Sequence, residues 1–178
     1  MIIQKFKYKS VNSTNSTAIN IIKKKNLKAG FVISETQKKG RGQRGKKWIS
    51  YRGNLFVSIF FSLEKINLSI KQLTKLNVEL IKKLISKYYK KKIDVKVPND
   101  ILINKKKICG ILQETIQKKN IKYLIVGVGV NLVKNPNISY YPTTNLNYLI
   151  KKKITTAQVI KDLNYIYKIF FKSYKVFK

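Results

Sequence analysis

A loop rich in glycine and basic residues, here called the glycine loop (residues 37–48), constrains the fold more than any other feature. It reads Q-K-K-G-R-G-Q-R-G-K-K-W and separates the apolar runs at 30–34 and 54–61. Runs of this length with β-branched and aromatic residues are typical of buried strands. Glycine lets backbone N–H groups approach a ligand, and arginine forks onto carboxylate or phosphate oxygens. The loop predicts an anion site between two strands, although Gly-Arg-Gly also occurs in flexible RNA-binding tails.

Four further polar clusters lie beside apolar runs elsewhere in the chain. They read S-T-N at 13–15, K-V-P-N-D at 96–100, K-I-C-G-I at 107–111 and G-V-G-V-N at 127–131. A rigid scaffold usually carries its binding residues on such connecting segments. We therefore expect these clusters and the glycine loop to converge on one pocket.

The remaining periodicity predicts a single domain of strands and helices. Strands are expected at 2–8, 30–34, 54–61, 93–97, 101–103, 107–115 and 121–130, and helices at about 16–25, 69–89 and 155–171. The long middle helix has an apolar stripe at helical spacing, formed by Ile70, Leu73, Leu76, Leu80, Leu84 and Tyr88. The chain of 178 residues shows no repeat or linker that would mark a second domain.

Several residues of the clusters have two interpretations that the sequence leaves open. Ser13 and Thr14 cap a helix or contact a ligand. Gly127 and Gly129 leave one face of a strand bare, either for close packing against a helix or as a smooth wall for a flat ligand. Trp48 is either a core anchor or a surface on which a purine base stacks. Mid-strand Gly110 indicates a bulge or a close ligand approach.

Composition excludes several kinds of chemistry. The chain has no histidine and one cysteine, which rules out histidine-dependent triads, histidine-rich zinc sites and disulfides within the chain. Cys109 lies in an apolar run and is predicted to be a small core residue. Because no apolar run approaches the ~18 residues of a membrane span and no signal peptide is recognisable, we expect a soluble, cytoplasmic protein without membrane association.

The net charge of +32 raises the alternative of a basic nucleic-acid-binding module. Lysines are scattered over every segment instead of marking one face, and only Arg41, Arg44 and Arg52 are arginines. This distribution favours a general lysine enrichment, and we expect no specific DNA binding.

The motifs G-R-G-Q-R-G-K-K-W, K-V-P-N-D, K-I-C-G-I-L-Q-E and G-V-G-V-N-L together resemble the ordered signature of biotin protein ligases. The resemblance runs from about Ser13 to the last predicted helix. It implies an α/β (α+β) fold like that of class II aminoacyl-tRNA synthetases, with a mixed sheet flanked by helices. It also implies that biotin and ATP form biotinyl-5'-AMP, with Mg²⁺, and that the biotinyl group passes to a lysine of a biotin carboxyl carrier protein. Lipoate protein ligases share this fold and also activate their acid as an adenylate, so they remain an alternative. A homodimer is also possible under this resemblance.

The resemblance also assigns residues. Lys107 and Arg41 are the expected catalytic residues. The biotin side comprises Ser13, Thr14, Asn15, Gln37, Gly40, Arg41, Gly42, Gln43, Lys107, Gly110 and Gly129. The ATP side comprises Arg41, Arg44, Gly45, Lys46, Trp48, Asn54, Lys96, Asn99, Asp100 and Asn131, with Asp100 as the candidate magnesium ligand.

Some positions depart from the family pattern. Val97 replaces the tryptophan of the usual K-W-P-N-D, which we expect to loosen packing behind that turn. Gln43 stands where many members have a further loop arginine, so we hypothesise weaker retention of the adenylate. The family's N-terminal winged-helix domain and C-terminal SH3-like domain are not expected, and residues 1–178 are expected to form a catalytic domain alone.

Overall fold

The computed structural model describes residues 3–138 and 141–177, which form a mixed seven-stranded sheet with helices on both faces. The strands are β1 (Gln4–Val11), β2 (Ala29–Gln37), β3 (Leu55–Ser62), β4 (Asp94–Lys96), β5 (Asp100–Ile103), β6 (Lys106–Lys118) and β7 (Ile121–Val130). Their order across the sheet is β1-β2-β3-β7-β6-β5-β4. β1 and β2 are parallel, and the other neighbouring pairs are antiparallel. The expected mixed sheet flanked by helices is confirmed.

The helices divide between the two faces of the sheet. They are α1 (Thr14–Lys24), α2 (Ile70–Ser86), α3 (Leu146–Ile150) and α4 (Thr156–Ser173). α1 buries Ala18 and Ile22 on the face that carries Val32 and Phe60. α2 and α4 bury their apolar residues on the opposite face, which holds the larger core. Successive strand residues point to opposite faces, so β2, β3 and β7 each contribute buried residues to both cores.

Helix α1 begins at Thr14, two residues before the predicted start. Ser13 is extended, and its Oγ accepts a hydrogen bond from the backbone N–H of Ser16. This is the N-cap arrangement that serine favours, because the first N–H groups of a helix lack partners within it. The capping interpretation of Ser13 is therefore confirmed.

The predicted apolar stripe of α2 is partly wrong. Ile70 is exposed, whereas the buried face runs through Leu73, Asn77, Ile81 and Leu84. Asn77 was missed because it is polar, but Nδ2 donates to the carbonyl of Leu73 and its Oδ1 accepts from Tyr167 of α4. Since both ends of the amide are bonded, its burial costs little. The helix also ends at Ser86, short of the predicted residue 89.

The remaining elements agree with the sequence to within a few residues, apart from α3, which was not predicted. The first strand was predicted over 2–8, and its first position lies outside the described residues. Cys109 is completely buried, as predicted, and burial raises the pKa of its thiol. Among the described residues, no helix is both long and apolar enough to cross a bilayer.

Candidate active site

A cavity of about 610 Å³ opens on the α1 face of the sheet. The glycine loop, the start of α1, strands β6 and β7, the turn between β4 and β5, and the segment after β7 contribute to its wall. The sequence-predicted residues that line it are Ser13, Thr14, Asn15, Gln37, Arg41, Gly42, Gln43, Arg44, Lys46, Trp48, Lys96, Asn99, Asp100, Lys107, Gly110, Gly129 and Asn131. The expected convergence of the five segments on one pocket is confirmed.

Three predicted residues lie outside the lining of this cavity. The carbonyl of Gly40 accepts the backbone N–H of Trp48 at 2.9 Å, which closes the glycine loop. Gly45 has a φ of +73°, a left-handed value that glycine adopts at little cost. Asn54 is buried, and its Oδ1 accepts from the backbone N–H groups of residues 132–134. In this structure Asn54 therefore anchors the segment after β7.

The face of the sheet formed by Gly110, Gly127 and Gly129 packs against two side chains, Trp48 of the glycine loop and Asn15 of α1. A Cβ added to Gly129 would lie 2.5 Å from the indole of Trp48, and one added to Gly110 would lie 2.7 Å from it. A Cβ on Gly127 would lie 2.3 Å from Oδ1 of Asn15, which belongs to α1. Close packing against a helix thus explains Gly127. Gly110 and Gly129 instead allow the half-buried indole of Trp48 to lie against the sheet. The ladder between β5 and β6 shifts register between Ile101 and Leu102, opposite residues 107–109, so the irregularity does not fall on Gly110.

The side chain of Asn15 is held at three points. Its Oδ1 accepts from the hydroxyl of Ser58, and Nδ2 donates to the carbonyl of Leu112 and to Oε2 of Glu114, at 3.2 and 2.7 Å. The same Oε2 accepts from Arg41 of the glycine loop at 2.7 Å. Glu114 therefore links the loop to α1, and it was not among the predicted site residues.

Gly127→Ala is expected to destabilise the protein by about 1–3 kcal/mol, because the new methyl group meets an Asn15 side chain that cannot move without breaking hydrogen bonds. Chemical denaturation measures the loss. Gly42→Ala is the matched control, since its Cβ would meet nothing closer than 3.4 Å and its φ is ordinary. Equal stability of the two variants would contradict this account of Gly127.

Thr14 and Gln37 join the start of α1 to the end of β2. The backbone N–H and the hydroxyl of Thr14 both donate to Oε1 of Gln37, at 2.8 and 3.1 Å. Nε2 of Gln37 donates to the hydroxyl of Ser50 at 3.3 Å. Thr14 and Gln37 thus form a fixed polar corner of the cavity, next to the glycine face.

Charged groups gather at the other end of the cavity. Nζ of Lys107 lies 2.7 Å from Oδ1 of Asp100, and both side chains are largely buried. The hydroxyl of Tyr141 donates to Oδ2 of Asp100 at 2.6 Å. Burial raises the pKa of Tyr141, and the hydrogen bond to Asp100 and its negative charge raise it further, so the phenol stays protonated. The Lys107 ammonium also lies 5.3 Å from the centre of the Trp48 ring.

The cavity thus combines an apolar glycine-and-tryptophan wall with cations at its rim and end. Arg41 and Lys107 belong to its two sides and each is paired with an acid, while Arg44, Lys46 and Lys96 also line it. Such a site suits a ligand that has an apolar body and an anionic end, together with a second anion. A model of the biotin/lipoate A/B protein ligase family matches residues 8–131. The chain belongs to this family.

Curated relatives of this family member include two proteins named bifunctional ligase/repressor BirA. The protein of Bacillus subtilis is 30% identical over 161 residues, which cover 86% of this chain and 49% of the relative. The protein of Escherichia coli is 33% identical over 125 residues, which cover 68% of this chain and 38% of the relative. The chain therefore spans less than half the length of these relatives.

Solved structures of biotin protein ligases have the same fold. The ligase of Aquifex aeolicus in complex with biotin and ATP has a TM-score of 0.77 at 26% identity, covering 94% of this chain and 70% of that one. A Plasmodium falciparum protein in complex with lipoate has a TM-score of 0.65 at 13% identity, which is a likeness of fold alone. The fold alone therefore does not distinguish between a protein solved with biotin and one solved with lipoate.

Asp100 is the predicted magnesium ligand of this family member, but both of its oxygens already have partners in Lys107 and Tyr141. Among the described residues, no group of three or more histidine, cysteine, aspartate or glutamate side chains is placed to hold a metal ion. Mg²⁺ commonly binds through one or two carboxylates together with substrate phosphates. These residues fit a magnesium ion that arrives on a nucleotide rather than one held by the protein alone.

Proposed function

We propose that this protein is an ATP-dependent ligase that activates biotin as biotinyl-5'-AMP and transfers the biotinyl group to a lysine of a biotin carboxyl carrier protein. The observation that carries the proposal is that Lys107 and the glycine loop line one cavity. Further support comes from the biotin and ATP named for the Aquifex aeolicus structure. A Paracoccus denitrificans relative, 28% identical over 129 residues, is named biotin--[acetyl-CoA-carboxylase] ligase.

In the first step a carboxylate oxygen of biotin attacks the α-phosphorus of ATP, the bond from that phosphorus to the β-phosphate bridging oxygen breaks, and pyrophosphate leaves. Biotin is already ionised at neutral pH, so this step requires no general base. The protein must hold two anions together and stabilise the charge that develops on phosphorus. Lys107 and Arg41 are the cations proposed for this task, and Mg²⁺ on ATP neutralises further phosphate charge.

In the second step the amine of the acceptor lysine attacks the acyl carbon of biotinyl-5'-AMP. The bond between that carbon and the phosphate oxygen breaks, AMP leaves, and an amide forms with loss of one proton. The glycine wall is proposed to contact the rings of biotin and Trp48 to contact the adenine of ATP, while Thr14 and Gln37 offer polar groups to the ureido head of biotin. Together these assignments use both the apolar and the charged parts of the cavity.

Exchange of labelled pyrophosphate into ATP tests the proposal, because exchange requires the first step to run in both directions. We expect exchange that depends on biotin and on Mg²⁺. Exchange with lipoate in place of biotin would move the assignment to the lipoate branch of the family. No exchange with either acid would overturn the ligase assignment.

Gln43→Arg is expected to reduce the release of free biotinyl-5'-AMP into solution, because Gln43 lines the cavity and an arginine there adds a cation beside the adenylate phosphate. The released adenylate is measured after filtration of the protein. Gln117→Arg introduces the same change at an exposed position of β6 and serves as the control. Equal release by Gln43→Arg and the unaltered protein would contradict the hypothesis.

A further inference from the structure

The segment between β7 and α3 is held by hydrogen bonds near both of its ends, at residues 132–134 and at residues 142–144. At its start, the amide of Asn54 accepts from the backbone of residues 132–134 and donates to the carbonyl of Lys134. At its other end it pairs with the backbone of Lys107: the N–H of Lys107 donates to the carbonyl of Pro142 at 2.8 Å, and the N–H of Thr144 donates to the carbonyl of Lys107 at 3.0 Å. The segment is thus fastened directly to the proposed catalytic lysine.

This attachment places Tyr141 against three charged side chains. Its hydroxyl donates to Oδ2 of Asp100. The centre of its ring lies 5.2 Å from Nζ of Lys107 and 5.0 Å from Nζ of Lys96. A phenol that stays protonated gives Asp100 one fixed partner, and Lys107 lies on the other oxygen. One side chain therefore contacts both the acid and the two cations at this end of the cavity.

These contacts restrict where the two ammonium groups lie. A lysine side chain has four rotatable bonds and loses about 2 kcal/mol of rotamer entropy when it is fixed. Two like charges near each other also repel. An aromatic ring attracts cations through its quadrupole, so a shared ring offsets part of both costs. Tyr141 thus keeps two cations together at one end of the cavity, as the oxygens of a polyphosphate require.

We propose that Tyr141 is a positioning residue that holds Lys107 and Lys96 for the phosphates of the nucleotide. The proposal rests on the ligase function proposed above. Its ring acts on both lysines, and its hydroxyl acts on Lys107 through Asp100. Tyr141 contacts both Lys96 and Lys107, whereas of these two lysines biotin is proposed to use Lys107 alone, so the effect is expected to be larger on the nucleotide than on biotin.

Two variants, Tyr141→Phe and Tyr141→Leu, separate the contribution of the ring from that of the hydroxyl. KM and kcat of each are measured by pyrophosphate exchange. Tyr141→Leu removes the ring and is expected to raise the KM for MgATP about 3- to 30-fold, the range between an exposed and a desolvated cation–π contact. Tyr141→Phe keeps the ring and is expected to restore this KM to within about 3-fold, while kcat stays lowered. In Tyr141→Leu the KM for biotin is expected to rise by a smaller factor than the KM for MgATP. Tyr165→Leu and Tyr165→Phe, at a position of α4 that is 62% exposed, are the matched controls.

A second measurement does not depend on activity. In a protein with carbon-13-labelled lysine, the ε-CH₂ protons of Lys107 lie beside the rings of Trp48 and Tyr141 and are expected to resonate upfield of the other lysines. Lys107→Arg assigns this signal by removing it. In Tyr141→Leu the signal is expected to move downfield, and the affinity for inorganic triphosphate is expected to fall, whether or not the protein exchanges pyrophosphate.

The outcomes separate the two proposals. Absence of exchange in the unaltered protein, with the expected signal shift and loss of triphosphate affinity in Tyr141→Leu, would remove the ligase function but keep the positioning role. An unchanged Lys107 signal and an unchanged triphosphate affinity in Tyr141→Leu would overturn the positioning role. So would a rise in the KM for biotin equal to the rise for MgATP, because a general structural defect would affect both substrates.

Discussion

Lys107→Ala is expected to lower the rate of biotin-dependent pyrophosphate exchange by about 10²-fold or more, the usual cost of losing one charge-stabilising contact at a reacting centre. Lys107 is largely buried at the end of the cavity, where its ammonium is oriented by Asp100 and by two aromatic rings. Charge in such a position acts more strongly than the same charge in water. Single-turnover formation of biotinyl-5'-AMP measures the loss without interference from product release.

The neighbouring Lys106 provides the control for this prediction. It is exposed on the same strand and does not line the cavity, so Lys106→Ala is expected to keep full activity. Denaturation curves of both variants check that the fold is retained. If Lys107→Ala forms the adenylate at the normal rate, the role assigned to Lys107 is wrong.

Arg41→Ala is expected to reduce adenylate formation by a similar factor, about 10²-fold. Arg41 lines the cavity from the glycine loop, and its guanidinium can pair with a carboxylate or phosphate. In this structure it is paired with Glu114, so an incoming anion must share or displace that partner. Arg52→Ala is the matched control, because Arg52 lies outside this cavity and its side chain is 76% exposed.

The pairing with Glu114 offers a second explanation for a severe effect of Arg41→Ala, namely an uncompensated carboxylate beside the anions. The double variant Arg41→Ala with Glu114→Gln distinguishes the two explanations. If Arg41 itself binds the anions, the double variant is expected to remain about as impaired as Arg41→Ala. Recovery of most of the activity would show instead that Arg41 only neutralises Glu114.

The sheet was predictable because most of its strands are visible in the sequence as short runs of apolar residues bounded by turn-forming residues. The runs that became β2, β3 and β7 are apolar and rich in β-branched or aromatic residues, and glycine or polar residues end them. Helix α2 was less predictable in detail, since periodicity alone does not reveal that Asn77 finds a partner in Tyr167, which is distant in sequence. The short α3 has too few residues to show a helical period.

The candidate site was predictable where its residues belong to recognisable motifs. Glu114 could have been predicted as a site residue from the sequence. It ends the motif K-I-C-G-I-L-Q-E, and strand alternation puts it on the same side of β6 as Gly110 and Leu112. Tyr141 belongs to none of the recognised motifs, so the sequence did not indicate it as a site residue. Its contact with Lys107 depends on a return of the chain after β7, which local sequence does not encode.

The central claim is that the carboxylate of biotin attacks the α-phosphorus of ATP in this cavity, and the fate of the carboxylate oxygen tests it most directly. Biotin labelled with oxygen-18 in its carboxylate is incubated with the protein, MgATP and hydroxylamine, which cleaves the adenylate at the acyl carbon. Mass spectrometry of the nucleotide product is then expected to show AMP that carries one oxygen-18 atom. Unlabelled AMP, or ADP as the product, would contradict the claim.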